Sequence, residues 1–219
     1  MTRKIWFIRH AESFTNSGQS WTQPDTNPLT ETGHRQAEMV CNSLTEKPEL
    51  IITSPYVRTV ETARPALKRW PEVEHIEWPI HEFASFCHVK HGKITGDLWR
   101  DHAIELWERG DPDYKDGDEA ESFNELMDRI DNTVERILAL KSKKTLIFSH
   151  GFFLGILFYR LENRKPKAYS MNEVWEYRQK LHIPNTSISY FNLFDDGTTE
   201  LHSVSTDHLT DTERNLRGY

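Results

Sequence analysis

Short apolar runs bounded by charged or polar residues recur along the chain and predict strands. The runs at 5–8, 50–53 and 145–148 each contain four residues, which is too short for a helix. A continuous apolar run of this length is typical of a buried strand. Near the end of the chain, the segments 187–194 and 200–205 are separated by Asp-Asp-Gly, which predicts an antiparallel hairpin.

Between these runs, polar and apolar residues follow helical spacing. The segment 30–44 begins with a threonine and predicts one helix. Ser54-Pro55 has the pattern of an N-cap followed by proline at the first helical position, and predicts a second helix that runs to about residue 70. The longest helical pattern is 119–141, with an apolar stripe made by Phe123, Leu126, Ile130, Val134, Ile137 and Leu138.

This alternation of strands and helices predicts an α/β fold. We expect a three-layer α/β/α sandwich with a mostly parallel central sheet and a late antiparallel hairpin. The segment 78–117 departs from the alternation because it is rich in His, Trp, Lys and Gly, with a helix-like stretch only at 95–109. We interpret it as a lid-like insertion above the sheet. No repeat or linker divides the sequence, so we expect residues 1–219 to form a single domain.

Composition narrows the classes of function. The 219 residues include 27 basic and 34 acidic side chains, and a net charge of −7 argues against nucleic acid as the main partner. The longest near-apolar run, 151–159, is about half as long as a membrane span, and the first residues lack the apolar core of a signal peptide. Cys41 and Cys87 lie far apart, which argues against a disulfide framework or a cysteine zinc site. We therefore expect a cytoplasmic protein that does not enter membranes.

Residues with distinctive chemistry follow three of the predicted strands. Arg9 and His10 come after the strand at 5–8, Arg58 comes shortly after the strand at 50–53, and His150 comes shortly after the strand at 145–148. Ligands of open α/β sheets bind at the carboxyl ends of the strands, so we expect these side chains to collect at one edge. Two arginines would repel a metal cation, whereas they suit a multiply charged oxyanion, phosphate above all.

Each of these residues also has a purely structural interpretation. Arg58 falls in the predicted first turn of a helix, where the helix dipole disfavours a cation by a few tenths to about 1 kcal/mol. Either Glu61 or Glu31 neutralises it, or an anionic ligand faces both the helix end and the guanidinium. A lone histidine at a strand end is commonly a hydrogen-bonded structural residue, but two histidines together with two arginines favour a binding site.

Five sequence features, in the expected order, resemble those of the histidine phosphatase superfamily, also called the phosphoglycerate mutase-like family. They extend from residue 5 to residue 155, roughly two-thirds of the chain. The matching features are Phe-Ile-Arg-His-Ala-Glu-Ser at 7–13 (R-H-G-E), Asn16 six residues after His10, 25–33 (D-x-x-L-T-x-x-G), 54–63 (S-P-x-x-R-x-x-x-T-A) and Ser-His-Gly at 149–151 (S-H-G).

The resemblance implies a mechanism for these positions. His10 would attack phosphorus and form a phosphohistidine, with its other ring nitrogen held by a backbone carbonyl. Arg9, Arg58, His150 and, more weakly, Asn16 would bind the phosphoryl oxygens and stabilise the transition state. No metal or cofactor would take part.

The mechanism also requires a carboxylic acid that protonates the leaving group, and the family places it after the third strand, just before the insertion. Glu82 is the candidate at that position, and Glu77, expected on the strand itself, is the alternative. The same carboxylate would later accept a proton from the water that hydrolyses the phosphohistidine. Ala11 stands where the family usually has glycine, and we expect this small side chain to tune the site rather than to inactivate it.

The implied function is that of a metal-independent phosphomonoester hydrolase. A phosphoglycerate mutase would use the same residues, but the segment 78–86 lacks the R-x-x-W-x-G-x-Y-G-L-N stretch of the family's mutases. The other alternative is a catalytically inactive phospho-ligand-binding module, although all the expected catalytic positions are filled. The loop at 13–23 and the insertion at 78–117 would select the substrate, expected to be a phosphorylated small molecule or, as an alternative, a phosphoprotein.

Overall fold

The computed structural model describes residues 2–92, 95–163 and 170–214, and shows an α/β fold built on a six-stranded sheet. The strand order is β3-β2-β4-β1-β5-β6, in which the first four strands are parallel and the last two antiparallel. The strands are β1 (Arg3–Arg9), β2 (Leu50–Thr53), β3 (Glu74–Glu77), β4 (Lys144–Ser149), β5 (Ile188–Leu193) and β6 (Thr199–Ser205). The mostly parallel sheet and the late hairpin are confirmed.

Helices cover both faces of the sheet, as three layers require. Ile5 and Phe7 point into a core shared with the helices 123–139 and 151–162, whereas Ile8 points into a second core shared with the helices 31–43 and 57–69. This division follows from the alternation of side chains along a strand. The helices in the described residues are α1 (Glu31–Ser43), α2 (Val57–Arg69), α3 (His88–His91), α4 (Gly96–Arg109), α5 (Phe123–Ala139), α6 (Gly151–Glu162) and α7 (Met171–Lys180).

Two predicted helix starts are corrected by the structure. Ser54 is not an N-cap: α2 begins at Val57 with Tyr56 as its N-cap, and the Ser54 hydroxyl lies 2.8 Å from Nε2 of His150. The helix predicted from residue 119 begins instead at Phe123, because Ser122 forms a capping box with the residue three positions later.

The insertion between β3 and α5 contains α3 and α4, and α4 confirms the helix predicted at 95–109. The ring of Trp107 packs edge-on against Phe123 of α5, with centroids 5.3 Å apart, and so joins the insertion to the main core. Asp116 is almost fully buried and accepts hydrogen bonds from the backbone of Cys87 and the ring of His91. These contacts tie the region of α3 to the last part of the insertion.

The apolar run at 151–159 forms most of α6, which is buried on nearly all sides. A helix surrounded by protein needs no polar face, so its sequence lacks the periodicity that would have distinguished it from a strand. None of the described helices combines the length and the apolar character that crossing a membrane requires.

Candidate active site

The ends of three neighbouring parallel strands lie level with one another. Beyond β1, the backbone N–H of His10 donates to the carbonyl of Ser149 at 2.9 Å. Beyond β2, the N–H of Ser54 donates to the carbonyl of Phe148 at 3.0 Å. The sheet ladder therefore continues past the strands and brings His10, Ser54 and His150 to one edge, where the sequence places them.

A cavity of about 520 Å³ opens at this edge. Most of the predicted site residues line it, but His150 does not. Within the described ranges, no three His, Cys, Asp or Glu side chains are grouped so that they could hold a metal ion. The charged and polar lining includes Arg9, His10, Asn16, Arg58, Glu82 and Arg178, and the aromatic lining includes Trp21, Tyr56, Phe83, Phe86, Trp99 and Phe152.

The imidazole of His10 is held in one tautomer by its own backbone. Its Nδ1 lies 2.7 Å from the carbonyl oxygen of Ala11, which can only accept, so Nδ1 carries the proton and donates. Burial, followed by the positive charges of Arg58 and Arg9, holds the pKa of His10 well below its usual value. At neutral pH His10 is therefore an uncharged ring whose Nε2 has a free lone pair.

Hydrogen bonds on both sides fix the backbone around His10. The N–H of Ala11 donates to the hydroxyl of Thr62 on α2, at 3.0 Å. The carbonyl of His10 accepts from Nδ2 of Asn185 at 2.9 Å and from the N–H of Thr186 at 3.3 Å. Sequence reasoning missed Asn185, although Pro184-Asn185 has the composition of a turn and could have marked it.

Arg9 and Arg58 approach the cavity from two elements and are both buried. Nη1 of Arg9 donates to the carbonyl of Ile183 at 2.6 Å, and Arg58 donates to the carbonyl of Pro24. Burial lowers the pKa of each guanidinium to about 10, so both stay charged at neutral pH. Gly151 makes room for Arg9, because a Cβ there would lie 3.0 Å from its Nε.

Glu61, one of the two carboxylates considered as a neutralising partner for Arg58, is used elsewhere. Its Oε2 accepts from the N–H of Leu29 at 2.9 Å, and its Oε1 lies 3.9 Å from Arg64. Glu31, the other carboxylate considered, is exposed at the start of α1. The carboxylates that act to raise the pKa of Arg58, against the effect of burial, are Glu82 and Asp25.

Asn16 lies in the loop after β1 and lines the cavity as predicted. Its Oδ1 accepts hydrogen bonds from the hydroxyl of Ser13 at 3.0 Å and from Nδ2 of Asn185 at 3.1 Å. Because these donors occupy the oxygen, the amide orientation is fixed and the NH₂ group is left as a donor.

Glu82 lies in the cavity, whereas the alternative residue Glu77 is exposed at the end of β3 and does not line it. The Glu82 carboxylate accepts backbone hydrogen bonds from Phe152 at 3.2 Å and Phe153 at 2.9 Å, in the first turn of α6. Glu82 thereby satisfies N–H groups that a helix start leaves without partners.

The loop that carries Glu82 is anchored from two sides. The hydroxyl of Ser149 donates to the carbonyl of Ile80 at 2.6 Å. Arg129 of α5 donates to the carbonyl of His81 at 2.7 Å and pairs with Glu121, so the loop is tied both to β4 and to α5. The carboxylate position is therefore set by backbone contacts rather than by solvent.

His150 is fully buried behind His10, with 5.2 Å between the two ring centroids. The hydroxyl of Ser54 accepts from the N–H of Tyr56 and lies 2.8 Å from Nε2 of His150, which fits a hydroxyl that donates to this nitrogen. Burial, followed by the charge of Arg58 and by His10, holds the pKa of His150 well below its usual value. This arrangement places the proton on Nδ1, which has no partner among the described residues.

Arg178 of α7 is the third arginine that lines the cavity, and sequence reasoning missed it. Nothing in its local sequence distinguishes it from a surface arginine in a polar helix. Only the packing of α7 on α6 brings its side chain to the cavity.

Comparisons with known proteins identify the family and the fold. Residues 5–206 match the model of the histidine phosphatase superfamily (branch 1). No curated protein sequence matches the chain. Among solved structures, the alpha-ribazole phosphatase from Shigella flexneri has a TM-score of 0.71 at 20% identity, over 93% of this chain and 96% of that one.

Two other solved structures are similar in fold. The phosphoserine phosphatase from Entamoeba histolytica, in complex with 3-phosphoglyceric acid, has a TM-score of 0.67 at 18% identity, over 95% of this chain and 100% of that one. A mycobacterial glucosyl-3-phosphoglycerate phosphatase has a TM-score of 0.64 at 18% identity, over 93% of this chain and 99% of that one. The match over most of its length shows that the chain belongs to branch 1 of the histidine phosphatase superfamily.

Proposed function

We propose that this protein is a metal-independent phosphomonoester hydrolase that forms a phosphohistidine on His10. The observation that carries the proposal is the hydrogen bond from Nδ1 of His10 to the carbonyl of Ala11, which leaves Nε2 unprotonated beside an arginine-lined cavity. The names of the structural neighbours, which are phosphatases of phosphorylated small molecules, support a substrate of the same class.

In the first step, the lone pair of His10 Nε2 attacks phosphorus. The P–N bond forms as the bond between phosphorus and the ester oxygen breaks in line with it, and the oxygen keeps the electron pair. Protonated Glu82 gives its proton to this oxygen, which leaves as an alcohol. Arg9 and Arg58 bind the phosphoryl oxygens throughout, and their buried positive charges stabilise the transition state.

In the second step, water attacks the phosphohistidine. The Glu82 carboxylate accepts a proton from the water as its oxygen bonds to phosphorus, and the electron pair of the P–N bond returns to Nε2. The products are the alcohol and inorganic phosphate, so the overall reaction consumes one water. Asn16 supplies N–H donors to the same phosphoryl group. The Nδ1–H of His150 is the other donor in this proposal, although His150 is buried behind His10 and does not line the cavity.

Turnover of p-nitrophenyl phosphate in the presence of EDTA tests the proposal. We expect the wild type to release nitrophenol and inorganic phosphate, and His10→Ala to lose activity at least about a thousandfold. His34→Ala is the matched control, since His34 is exposed on α1 and should not affect the rate. Activity that survives in His10→Ala would contradict the proposed nucleophile.

The products formed from 3-phosphoglycerate distinguish hydrolysis from mutase chemistry. We expect glycerate and inorganic phosphate. Formation of 2-phosphoglycerate would favour the mutase alternative. Tight phosphate binding with no turnover of any ester would favour a binding module.

A further inference from the structure

Arg178 lies outside the predicted phosphate-binding set but shares its cavity. It lies close enough to the set for electrostatic coupling: its charge contributes to the lowered pKa of Arg9, and the carboxylate of Glu82 acts to raise the pKa of Arg178. A third positive charge therefore belongs to the same pocket, although the proposed phosphoryl chemistry already uses two.

The path of the Arg178 side chain depends on a glycine inside α6. A Cβ at Gly155 would clash with Cδ of Arg178 and lie 2.9 Å from its Nε. Glycine is unfavourable in a helix interior because it gains no side-chain contacts and costs backbone entropy. Because Gly155 has no side chain, the Arg178 side chain can cross α6 at this point, and its guanidinium reaches the cavity.

The guanidinium is incompletely satisfied within the protein. Nη1 donates to the carbonyl of Leu181 at 2.9 Å, and the group lies over the ring of Phe152, 5.6 Å from its centroid. Among the described residues, its buried Nε has no hydrogen-bond partner, and none of their ion pairs includes Arg178. Two other mostly buried arginines, Arg129 and Arg160, each have a carboxylate partner.

A mostly buried cation that forms no direct ion pair is costly, and an anionic ligand lowers that cost. The cavity is large enough for one: about 520 Å³ lies in the range of pockets that hold a whole small molecule, well above the needs of a phosphoryl group alone. The remaining space is bounded by aromatic rings, including Phe83 and Trp99, where the leaving group of a phosphoester would lie.

We propose that Arg178 binds a second anionic group, a carboxylate or a second phosphate, carried by the leaving group of the substrate. The planar guanidinium fork matches two oxygens of either group. The inference rests on the proposed function, because it assigns the second subsite of the same cavity.

Matched pairs of phosphoesters test the subsite at Arg178. The two members of each pair differ in one anionic group. The pairs are glycerol 3-phosphate and 3-phosphoglycerate, phenyl phosphate and 4-carboxyphenyl phosphate, and fructose 6-phosphate and fructose 1,6-bisphosphate. We expect the wild type to prefer the more anionic member of at least one pair at least tenfold in kcat/KM. The first two pairs report a carboxylate and the third a phosphate.

The variant Arg178→Met should lower that ratio at least tenfold, mainly through KM, and Arg178→Lys should restore part of it. Lys180→Met, on the exposed end of α7, is the control and should keep the ratio. A wild type without preference in any pair, or a ratio that Arg178→Met leaves unchanged, would overturn the proposal. A purely structural role for Arg178 gives the second result, because it slows both members of a pair alike.

Binding measurements keep this test separate from the proposed function. In the His10→Ala background, calorimetry gives dissociation constants for the same pairs without turnover. Tighter binding of the anionic member that disappears in the Arg178→Met double variant supports the subsite even if no ester is hydrolysed. Equal binding of both members refutes the subsite, whereas absence of hydrolysis in the wild type refutes only the phosphatase.

Discussion

Oε1 of Glu82 lies 2.9 Å from the backbone nitrogen of Phe153, 71 positions later in the chain. The carboxylate takes the role of a capping side chain for α6, whose N-cap residue His150 makes no side-chain capping bond. Glu82, the proposed general acid, and His150 are thus both positioned by the start of α6, so a displacement of this helix end would move both side chains.

The variant Glu82→Gln tests whether Glu82 protonates the leaving group, because substrates with different leaving groups should respond to it differently. We expect kcat for an alkyl phosphate to fall about 10²- to 10⁴-fold, because an alkoxide needs a proton to leave. The loss for p-nitrophenyl phosphate should be much smaller, since nitrophenolate leaves without one. Steady-state kinetics on both substrates provides the measurement.

Glu77→Gln is the control for this variant, since Glu77 is exposed on β3, and it should leave both rates unchanged. The Phe152 and Phe153 N–H groups bond to different oxygens of Glu82, and glutamine retains only one of these acceptors. The free energy of unfolding should therefore fall by about 1 to 3 kcal/mol. Equal losses on both substrates would argue that Glu82 supports the helix without donating a proton.

Arg58 and Arg64 offer a matched comparison on one helix. Arg58 is buried at the cavity, whereas Arg64 is exposed and lies 3.9 Å from Glu61. We expect Arg58→Met to lower kcat/KM about 10²- to 10³-fold, as the removal of a donor to transition-state charge does, and Arg64→Met to have little effect. Similar rates for the two variants would exclude Arg58 from the phosphate-binding set.

Buried histidines should make the fold sensitive to mild acid. The pKa values of His10 and His150 are held well below 6.5 by burial, and burial lowers the pKa of His81 to about 4. Below pH 6.5 the unfolded chain binds protons that these rings do not bind when folded, so the free energy of unfolding falls as pH falls. Each such group contributes about 1.4 kcal/mol per pH unit well below 6.5.

Urea unfolding at pH 7.5, 6.5 and 5.5 measures this slope. His10→Asn should reduce the slope of the free energy of unfolding against pH by about the contribution of one buried histidine. His34→Asn, at an exposed site, should change this slope little. A free energy of unfolding that is constant or rises between pH 6.5 and 5.5 would show that the buried rings accept protons in the folded state.

The sequence predicted the elements whose signals are local. Short apolar runs mark β1, β2 and β4, and strand-end placement brings Arg9, His10 and His150 to one edge. The prediction that Ser54 is an N-cap was wrong. Serine can cap a helix or bond to a distant side chain, and here its hydroxyl bonds to His150.

Features that depend on packing between elements could not be predicted. The cap formed by Glu82 requires the start of α6, and the path of Arg178 requires the gap above Gly155. The helix α7 itself was missed, since its ten residues carry only a short apolar face with Met171 and Val174 buried. Such contacts join residues that are distant in the sequence, and they produce no periodic pattern of apolar and polar residues.

Detection of the covalent intermediate tests the central claim most directly. Wild-type protein mixed with a phosphorus-32-labelled ester and quenched in base within the first turnover should carry label that is stable to base and labile to acid. Tandem mass spectrometry should place it on His10, and His10→Ala should carry none. No label under these conditions, or acid-stable label on another residue, would contradict a mechanism in which His10 is the nucleophile.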